Sequence, residues 1–207
     1  FYNKPQVRMK DLVELKKGLI ILSGCLGGEV ARRILQDNIS EAEKVIRFFK
    51  THFKEDYYLE IQNHGIKEEE DVIKALDKLS KEYGIKLVAT TDSHYISKED
   101  VEAHEILLCI GTKTTMKNPD RFKMQGDGYH IHSFEEVMEK FKGHEEAVFN
   151  TLEVANKCNF EIETGSYHMP IFPIPKEFKD DKEYMLHLCR EGFKKRFSGS
   201  KEYKDKR

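Results

Sequence analysis

The sequence lacks the features that would place it in a membrane or in an oxidising compartment. Apolar runs such as Leu19–Leu22 are far too short to cross a bilayer, and no signal-peptide pattern is visible. The four cysteines show no C-x-x-C spacing and no small disulfide framework, which favours a reducing compartment. We therefore expect a cytoplasmic protein with no membrane association.

Several catalytic and binding signatures are also missing. Lys and Arg number 35 against 37 Asp and Glu, so the net charge of -2 gives no electrostatic argument for a nucleic-acid partner. Such a partner would have to be contacted through a local patch or through another part of the molecule. There is no Asp-x-Asp pair for a two-metal nucleotidyl-transfer site, no Walker loop and no Ser-His-Asp elbow.

What the sequence does contain is an alternation of short apolar strands and amphipathic helices. Strands are predicted to begin at residues 19, 57 and 86, each followed by a helical pattern, which is typical of parallel β/α units. The predicted class is α/β. Three units cannot close a barrel of about eight strands, so this is either a small open sheet or one that lacks upstream units. The opening, Phe1–Pro5 without a methionine, leads us to expect a piece of a longer chain.

Helix boundaries follow from local signals. Ser40-x-x-Glu43 predicts a capping box, and Gly84 a helix C-cap. Glu68–Glu70 is interpreted as a solvated first turn that complements the helix dipole. The helix that begins at Ser97 carries His104 on its apolar side, which we interpret as a core histidine.

The second half of the chain has a different pattern. Residues 111–128 are predicted to form a long loop, and residues 129–132 a short strand. Ser133-x-x-Glu136 predicts a capped helix, and a further helix is predicted over residues 145–158. Three prolines within six residues indicate an extended connector before a last amphipathic helix over residues 181–197, with four residues predicted to face inward: Met185, Leu188, Cys189 and Phe193.

The strongest candidate site is Asp92-x-His94, at the end of the third predicted strand. In an extended segment, residues two apart project to the same side, so the carboxylate and the imidazole could bind one divalent metal. The alternative is a strand end at which Asp92 caps the next turn and His94 is merely exposed.

The other strand ends carry metal-capable residues as well. In parallel β/α folds the loops after the strands meet at one rim, which here would bring Cys25, Asn63 and His64 near Asp92 and His94. Thiolate, imidazole and carboxylate suit zinc or another divalent transition ion. The alternatives are that Cys25 fills a tight glycine-rich turn and that His64 is an exposed loop residue.

Two other patterns are weaker. The glycines around Cys25 could present backbone N–H groups to a phosphate, but the lysine and spacing of a P-loop are absent. His130-x-His132 matches a metal pair, yet we predict that it stands apart from the β/α rim and is not a ligand pair.

Taken together, these segments resemble the alpha (catalytic) subunits of bacterial DNA polymerase III. The match is to the second half of their PHP (polymerase and histidinol phosphatase) domain and the start of the polymerase core. The resemblance covers nearly the whole chain in order, and it is carried by the segments 18–30, 58–65, 87–95, 103–110, 150–159 and 167–173.

The resemblance implies a distorted (β/α) barrel whose rim holds up to three divalent metals, with Cys25, Asp92 and His94 as its late ligands. The early ligands would lie upstream of Phe1, and the polymerase carboxylates downstream of Arg207. The implied domains are residues 1–165, the C-terminal half of a PHP domain, and 166–207, the connector and first helix of the polymerase core. The metal would be Zn, Mn or Mg in the PHP domain and Mg in the polymerase.

Three functions follow as hypotheses. The first is a fragment of a replicative polymerase with a partial 3′→5′ exonuclease or phosphoesterase site, inactive when isolated. Its parent would be a nucleotidyltransferase that contacts DNA, a sliding clamp and a proofreading exonuclease. The second is a free-standing PHP-type phosphoesterase, completed across a dimer because an exposed sheet edge invites self-association. The third is a non-catalytic docking module for a proofreading exonuclease.

Overall fold

The computed structural model describes residues 6–167 and 169–199, and the chain divides into two compact units, Phe1–Asn159 and Phe160–Arg207. Phe1–Pro5, His168 of the segment 167–173 that carries the resemblance, and the end of the predicted domain 166–207 from residue 200 onward lie outside the described residues. The domain identities assigned on either side of residue 165 stay a prediction, because compactness does not show which parent domain a segment comes from. None of the helices formed by the described residues is long and apolar enough to cross a membrane.

The first unit is built on a three-stranded parallel sheet in the order β1-β2-β3. The strands are β1 (Ile21–Leu22), β2 (Tyr57–Gln62) and β3 (Leu87–Thr90). β1 and β3 both pair with β2 in parallel register. The α/β class and the parallel strands are therefore confirmed. β1 is shorter than the predicted strand over residues 19–22, because it lies at the sheet edge, where Leu19 is 38% exposed.

Helices connect the strands and continue after them. In chain order the helices are α1 (Met9–Glu14), α2 (Glu29–Leu35), α3 (Ile39–Phe53), α4 (Lys67–Tyr83), α5 (Val101–Gly111), α6 (Phe134–Lys140), α7 (Glu145–Lys157) and α8 (Asp181–Phe197), with single 3₁₀ turns at Lys54–Asp56 and Lys98–Asp100. The predicted loop over residues 111–128 is confirmed, since the chain forms no regular element between α5 and the segment that precedes α6.

The core lies between the sheet and the helices that cover it. Ile46 of α3, Leu59 of β2 and Leu76 of α4 are almost completely buried, and α7 packs against β3. Burying one such side chain stabilises the fold by about 1.5–3 kcal/mol. The helical spacing of the apolar residues in α3 and α4 therefore determines which face of each helix meets the sheet.

Most predicted caps are confirmed, and one is wrong. Gly84 ends α4 in the left-handed conformation, and Ser97 and Ser133 each form a capping box with the residue three positions on. Ser40 is not the cap of α3. The helix begins earlier because the side chain of Asn38 accepts a hydrogen bond from the backbone N–H of Glu41, which is the usual role of an N-cap asparagine.

In the second unit, α8 has the predicted bounds. The predicted inward face is wrong for Met185, Leu188 and Cys189, which are exposed, whereas Phe193 is half-buried and packs against Phe197. Other aromatic contacts of this unit use a different face of the helix: Phe178 packs against Tyr184 and His187, with ring centroids 4.9 Å apart in each case. Helical spacing alone could not show which side these rings would cover.

Candidate metal centre

The turn after β1 carries Cys25 to the sheet edge. The backbone N–H of Gly24 donates to the Glu60 carboxylate at 3.1 Å, and the Ser23 hydroxyl accepts from the Glu60 backbone at 2.8 Å. A Cβ at Gly28 would stand 2.4 Å from the Ser23 carbonyl oxygen, so the turn requires glycine there. The Cys25 side chain is exposed. The turn is thus held rigidly on β2 and presents an accessible thiol.

Asn63 and His64 follow β2, but their polar atoms already have protein partners. The Asn63 amide donates to the Lys140 carbonyl oxygen at 2.7 Å, and its own carbonyl oxygen accepts from the Gly65 backbone. The His64 ring lies 2.7 Å from the Glu69 carboxylate through Nδ1 and 3.1 Å from the Thr91 carbonyl oxygen through Nε2. Either residue would have to give up these bonds to bind a metal. That they are ligands stays a prediction.

One expectation about His64 and one about Glu69 are wrong. His64 is not an exposed loop residue, because only 2% of it is accessible and its ring stacks on Tyr129 at 4.3 Å. Glu69 is not part of a solvated first turn. It is 4% exposed, since it lies three residues before Val72 on the buried face of α4 and turns its carboxylate to His64. That spacing was visible in the sequence and is the signal that could have identified it.

Electrostatics favour an ion pair between these two side chains. Burial lowers the pKa of His64, but the hydrogen bonds from its ring to Glu69 and to the Thr91 carbonyl oxygen, together with the charge of Glu69, outweigh it, and the net pKa is raised. Burial raises the pKa of Glu69, while the bonds from the ring and backbone of His64 outweigh it, and the net pKa is lowered. The pair anchors the loop after β3, because the other ring nitrogen binds the Thr91 carbonyl oxygen.

Asp92 and His94 lie directly after β3 and are both exposed. Asp92 has φ +46°, so the segment is left-handed at that residue rather than extended as expected, a conformation that aspartate tolerates better than most residues. Even so, its carboxylate lies 3.9 Å from His94 Nδ1. That ring nitrogen is 2.6 Å from the Asp92 carbonyl oxygen, to which it can donate. Nε2 is then the nitrogen with a lone pair for a metal.

Rings from two other segments, the loop before α6 and α5, pack against His94. Its ring meets the edge of Tyr129 and of His104, in each case with centroids 5.5 Å apart. Its backbone N–H donates to the Tyr129 carbonyl oxygen at 2.7 Å. His104 is only partly buried and packs at the margin of this cluster, so its interpretation as a core histidine is wrong. The first turns of α5 face the rim, and His104 is carried there with them.

The expectation that His130-x-His132 stands apart from the rim is also wrong. The predicted strand is reduced to one parallel bridge, between Tyr95 and His130. In addition, the Ser93 hydroxyl donates to the His130 carbonyl oxygen at 3.1 Å. The pair therefore lies beside the segment that carries Asp92 and His94. Burial, followed by the proximity of His130 and Lys140, lowers the pKa of His132.

The predicted ligands do not complete a metal site among the residues that the structure describes. In residues 6–167 and 169–199 there is no group of three or more His, Cys, Asp or Glu side chains placed to hold one ion. Asp92 and His94 provide two donors side by side, and Cys25 is not grouped with them. The chemical types fit a divalent transition ion, whereas the number of donors falls short of the usual four ligands. The roles of Cys25, Asp92 and His94 as ligands stay predictions.

Comparison with known proteins first indicates the class of domain. The chain has a parallel β/α fold with polar residues after each strand. Its residues 1–64 match the family model of the PHP domain. Residues 1–64 are thus similar to part of a PHP domain.

The relatives define the protein family more closely. The chain is 40% identical over 198 residues to the DNA polymerase III subunit alpha of Borreliella burgdorferi, which is 95% of this chain and 17% of that protein. The Thermus aquaticus subunit is 36% identical over 203 residues, again 95% of this chain and 17% of the relative. The Escherichia coli K12 subunit is 34% identical over 187 residues, 90% of this chain and 16% of the relative. The chain is therefore similar along most of its length to a segment of DNA polymerase III alpha subunits, and it spans only about a sixth of their length.

Proposed function

We propose that this chain serves DNA replication as the second half of the PHP domain of a replicative polymerase alpha subunit, followed by the connector into the polymerase core. The observation that carries this proposal is the similarity to alpha subunits along 95% of the chain. On this proposal residues 1–165 belong to the PHP domain and residues 166–207 lead into the core. The proposed compartment is the cytoplasm, where the chromosome of a bacterium is copied.

The rim of the sheet would contribute part of a metal centre. The Asp92 carboxylate and His94 Nε2 would be two ligands, and the exposed Cys25 thiol a third. The Asp92 carbonyl oxygen holds His94 in the tautomer that leaves Nε2 free. The remaining ligands would come from the part of the PHP domain that this chain does not contain. A bound Zn, Mn or Mg ion would supply Lewis-acid chemistry for phosphodiester hydrolysis.

The buried His64–Glu69 pair would support that centre from behind. His64 is bonded to Thr91, the residue before Asp92, so the pair limits movement of the ligand loop. A metal site depends on such support, because small displacements of ligands weaken binding. We assign Asn63 a similar supporting role through its bonds to the end of α6.

The parent would be a DNA-directed DNA polymerase that uses Mg, with 3′→5′ hydrolysis as a second activity at the PHP rim. Its partners would be DNA, the sliding clamp and a separate proofreading exonuclease. This chain alone would be inactive, because a catalytic ion needs about three protein ligands and Cys25 is not grouped with Asp92 and His94 in the described part of the chain.

A second candidate function is a docking platform within the polymerase. The observation that favours it is the apolar outer face of α5, on which Leu107 is 64% and Ile110 is 68% exposed. A surface of this kind is more usual in an interface than in contact with water. On this alternative the rim residues would stabilise the domain and would carry no reaction.

One experiment separates the two functions. Exonuclease activity on a 3′-labelled primer is measured for this chain and for a chain completed with the preceding PHP sequence of the Borreliella relative. We expect no activity from the first and metal-dependent activity from the second, lost in Asp92→Asn. Asp120→Asn, which changes an exposed loop carboxylate, is the matched control. A completed chain that binds metal and has no activity would favour the docking function.

A further inference from the structure

A second cluster of polar groups lies in a cleft of about 600 Å³ beside the rim. The cleft is bounded by the loop before α6, by α6 itself and by the first turn of α5. Its walls bring together two imidazoles with groups of both charges, namely Lys98, His130, His132, Glu136, Glu139 and Lys140. Neither the PHP match, which ends at residue 64, nor the proposed rim ligands include any of these residues.

The backbone aims both imidazoles into this cleft. Ile131 donates its N–H to the Tyr95 carbonyl oxygen at 3.1 Å, which holds the segment in register with the chain after β3. Side chains two apart on such a segment project to the same side. His130 and His132 accordingly stack with ring centroids 4.1 Å apart, while Ile131 between them is 62% exposed.

Three of the four ring nitrogens have no hydrogen-bond partner among the described residues. They are His130 Nε2 and both nitrogens of His132, and all three are buried. His130 as a whole is only 7% exposed. A buried polar atom without a partner is destabilising by about 1–3 kcal/mol. The arrangement is thus suited to a group that comes from outside the protein and bonds to nitrogen lone pairs.

A carboxylate lies at the right place to take part. Glu136 Oε1 is 3.6 Å from His130 Nε2, which is longer than a hydrogen bond. The same oxygen is 2.5 Å from Lys98 Nζ, and the other oxygen accepts from the Ser133 backbone at 2.9 Å. The capping bond holds the carboxylate beside the histidines, and the exposed Lys98 side chain can move away from it.

We propose that His130 and His132 bind a divalent transition ion such as Zn²⁺, with Glu136 as a third donor when Lys98 releases it. Two imidazoles and a carboxylate are ligands that Zn²⁺ takes in proteins, and a His-x-His segment places both rings on one ion. Water completes the coordination, because Glu136 is paired with Lys98 and the described part of the chain holds no preformed group of three His, Cys, Asp or Glu ligands. The ion is therefore exchangeable, and its site is separate from Cys25, Asp92 and His94.

The test uses the 207-residue chain without an affinity tag and stripped of metal. Zn²⁺ binding is measured by equilibrium dialysis with elemental analysis, for the natural chain and for His132→Asn. We expect one ion per chain from this site, with affinity lowered about tenfold or more in the variant, which corresponds to about 1.4 kcal/mol. His144→Asn, a partly buried histidine at the start of α7, is the matched control and should bind as the natural chain does.

Two further measurements make the outcome decisive. Asp92→Asn must leave this ion bound, because it changes only the rim; loss of the ion in that variant would overturn the proposal. Side-chain NMR of the natural chain during a Zn²⁺ titration needs no variant and does not depend on how His132→Asn folds. Resonances of His130 and His132 must shift before those of the other seven of the nine histidines. Earlier shifts elsewhere, or identical binding by the natural chain and His132→Asn, would contradict it.

Discussion

Replacing Glu69 by glutamine should destabilise the protein strongly, although the change conserves shape. Glu69 accepts two short bonds from His64, one from the ring at 2.7 Å and one from the backbone N–H at 2.5 Å. Both side chains are at most 4% exposed. Removing one partner of such a buried pair leaves the other charge without compensation, so we expect a loss of about 3 kcal/mol in the free energy of unfolding.

The loss should depend on pH in a defined way. The raised pKa of His64 means that its contribution is complete below pH 6.5 and is lost as the pH rises through the raised pKa. The lowered pKa of Glu69 means that its contribution is complete above pH 4.5 and is lost as the pH falls through the lowered pKa. The difference between the natural chain and Glu69→Gln should therefore be largest between pH 4.5 and pH 6.5 and smaller on both sides.

Urea unfolding followed by circular dichroism at several pH values measures this difference. Glu70→Gln is the matched control, because Glu70 is the next residue on α4 and is exposed. A surface change of this kind should alter the free energy of unfolding by less than about 0.5 kcal/mol. Equal effects of the two substitutions, or an effect of Glu69→Gln that does not vary with pH, would contradict a buried ion pair between His64 and Glu69.

Three other predictions concern a glycine that contacts His64, the cap of α3 and the pKa of Glu153. Gly126 and Gly143 both have positive φ, but of the two only Gly126 would place a Cβ against backbone, 2.2 Å from the His64 carbonyl oxygen. Gly143→Ala should lower the free energy of unfolding in urea by about 1 kcal/mol, and Gly126→Ala should lower it by about 2 kcal/mol more. Equal losses would argue against that contact. Asn38→Ala should lower the free energy of unfolding, measured by thermal unfolding, by about 1 kcal/mol and Ser40→Ala by much less, since Asn38 is the cap of α3. A larger loss in Ser40→Ala would mean that Ser40 is the cap. The hydrogen bond from Lys86, followed by that from Tyr58, lowers the pKa of Glu153 to about 2. In Lys86→Met, a carboxyl ¹³C titration should therefore show the pKa of Glu153 rising toward 4.5. An unchanged pKa would mean that Lys86 is not the main cause.

The elements that were predicted well are those whose signals are local. Apolar spacing within α3 and α4 and the glycine after α4 are set by residues a few positions apart, and the structure follows them. The α8 bounds were found for the same reason, since Asp180 caps its first turn and accepts from the Glu183 backbone N–H. Local hydrogen bonds and helical periodicity act before the chain folds onto itself, so a sequence displays them.

What the sequence could not show were contacts between distant segments. The bridge from Tyr95 to His130 joins residues separated by a whole helix and a long loop, and no local pattern specifies it. The bond between the His64 ring and the Thr91 carbonyl oxygen likewise joins residues 27 positions apart. The choice of Asn38 over Ser40 as a cap moves the start of α3 by two residues, which lies within the usual disagreement about helix boundaries.

The sequence predicted the location of the candidate site better than the hydrogen-bond partners of its residues. The topology brought polar residues to the carboxyl ends of the strands, and Asp92 and His94 do lie side by side. The roles of Asn63 and His64 could not be assigned, because a histidine that binds a metal and one that binds a buried carboxylate look alike in sequence. Their hydrogen-bond partners at the end of α6 and on α4 became visible only in the folded chain.

The central claim is that Asp92 and His94 are part of a metal centre that this chain does not complete alone. Metal content by elemental analysis tests it most directly, on this chain and on the chain completed with the preceding PHP sequence, each with and without Asp92→Asn. We expect Asp92→Asn to remove bound metal from the completed chain and to leave the metal content of this chain unchanged. Equal metal content in the completed chain with and without Asp92→Asn, or stoichiometric loss from this chain, would contradict it.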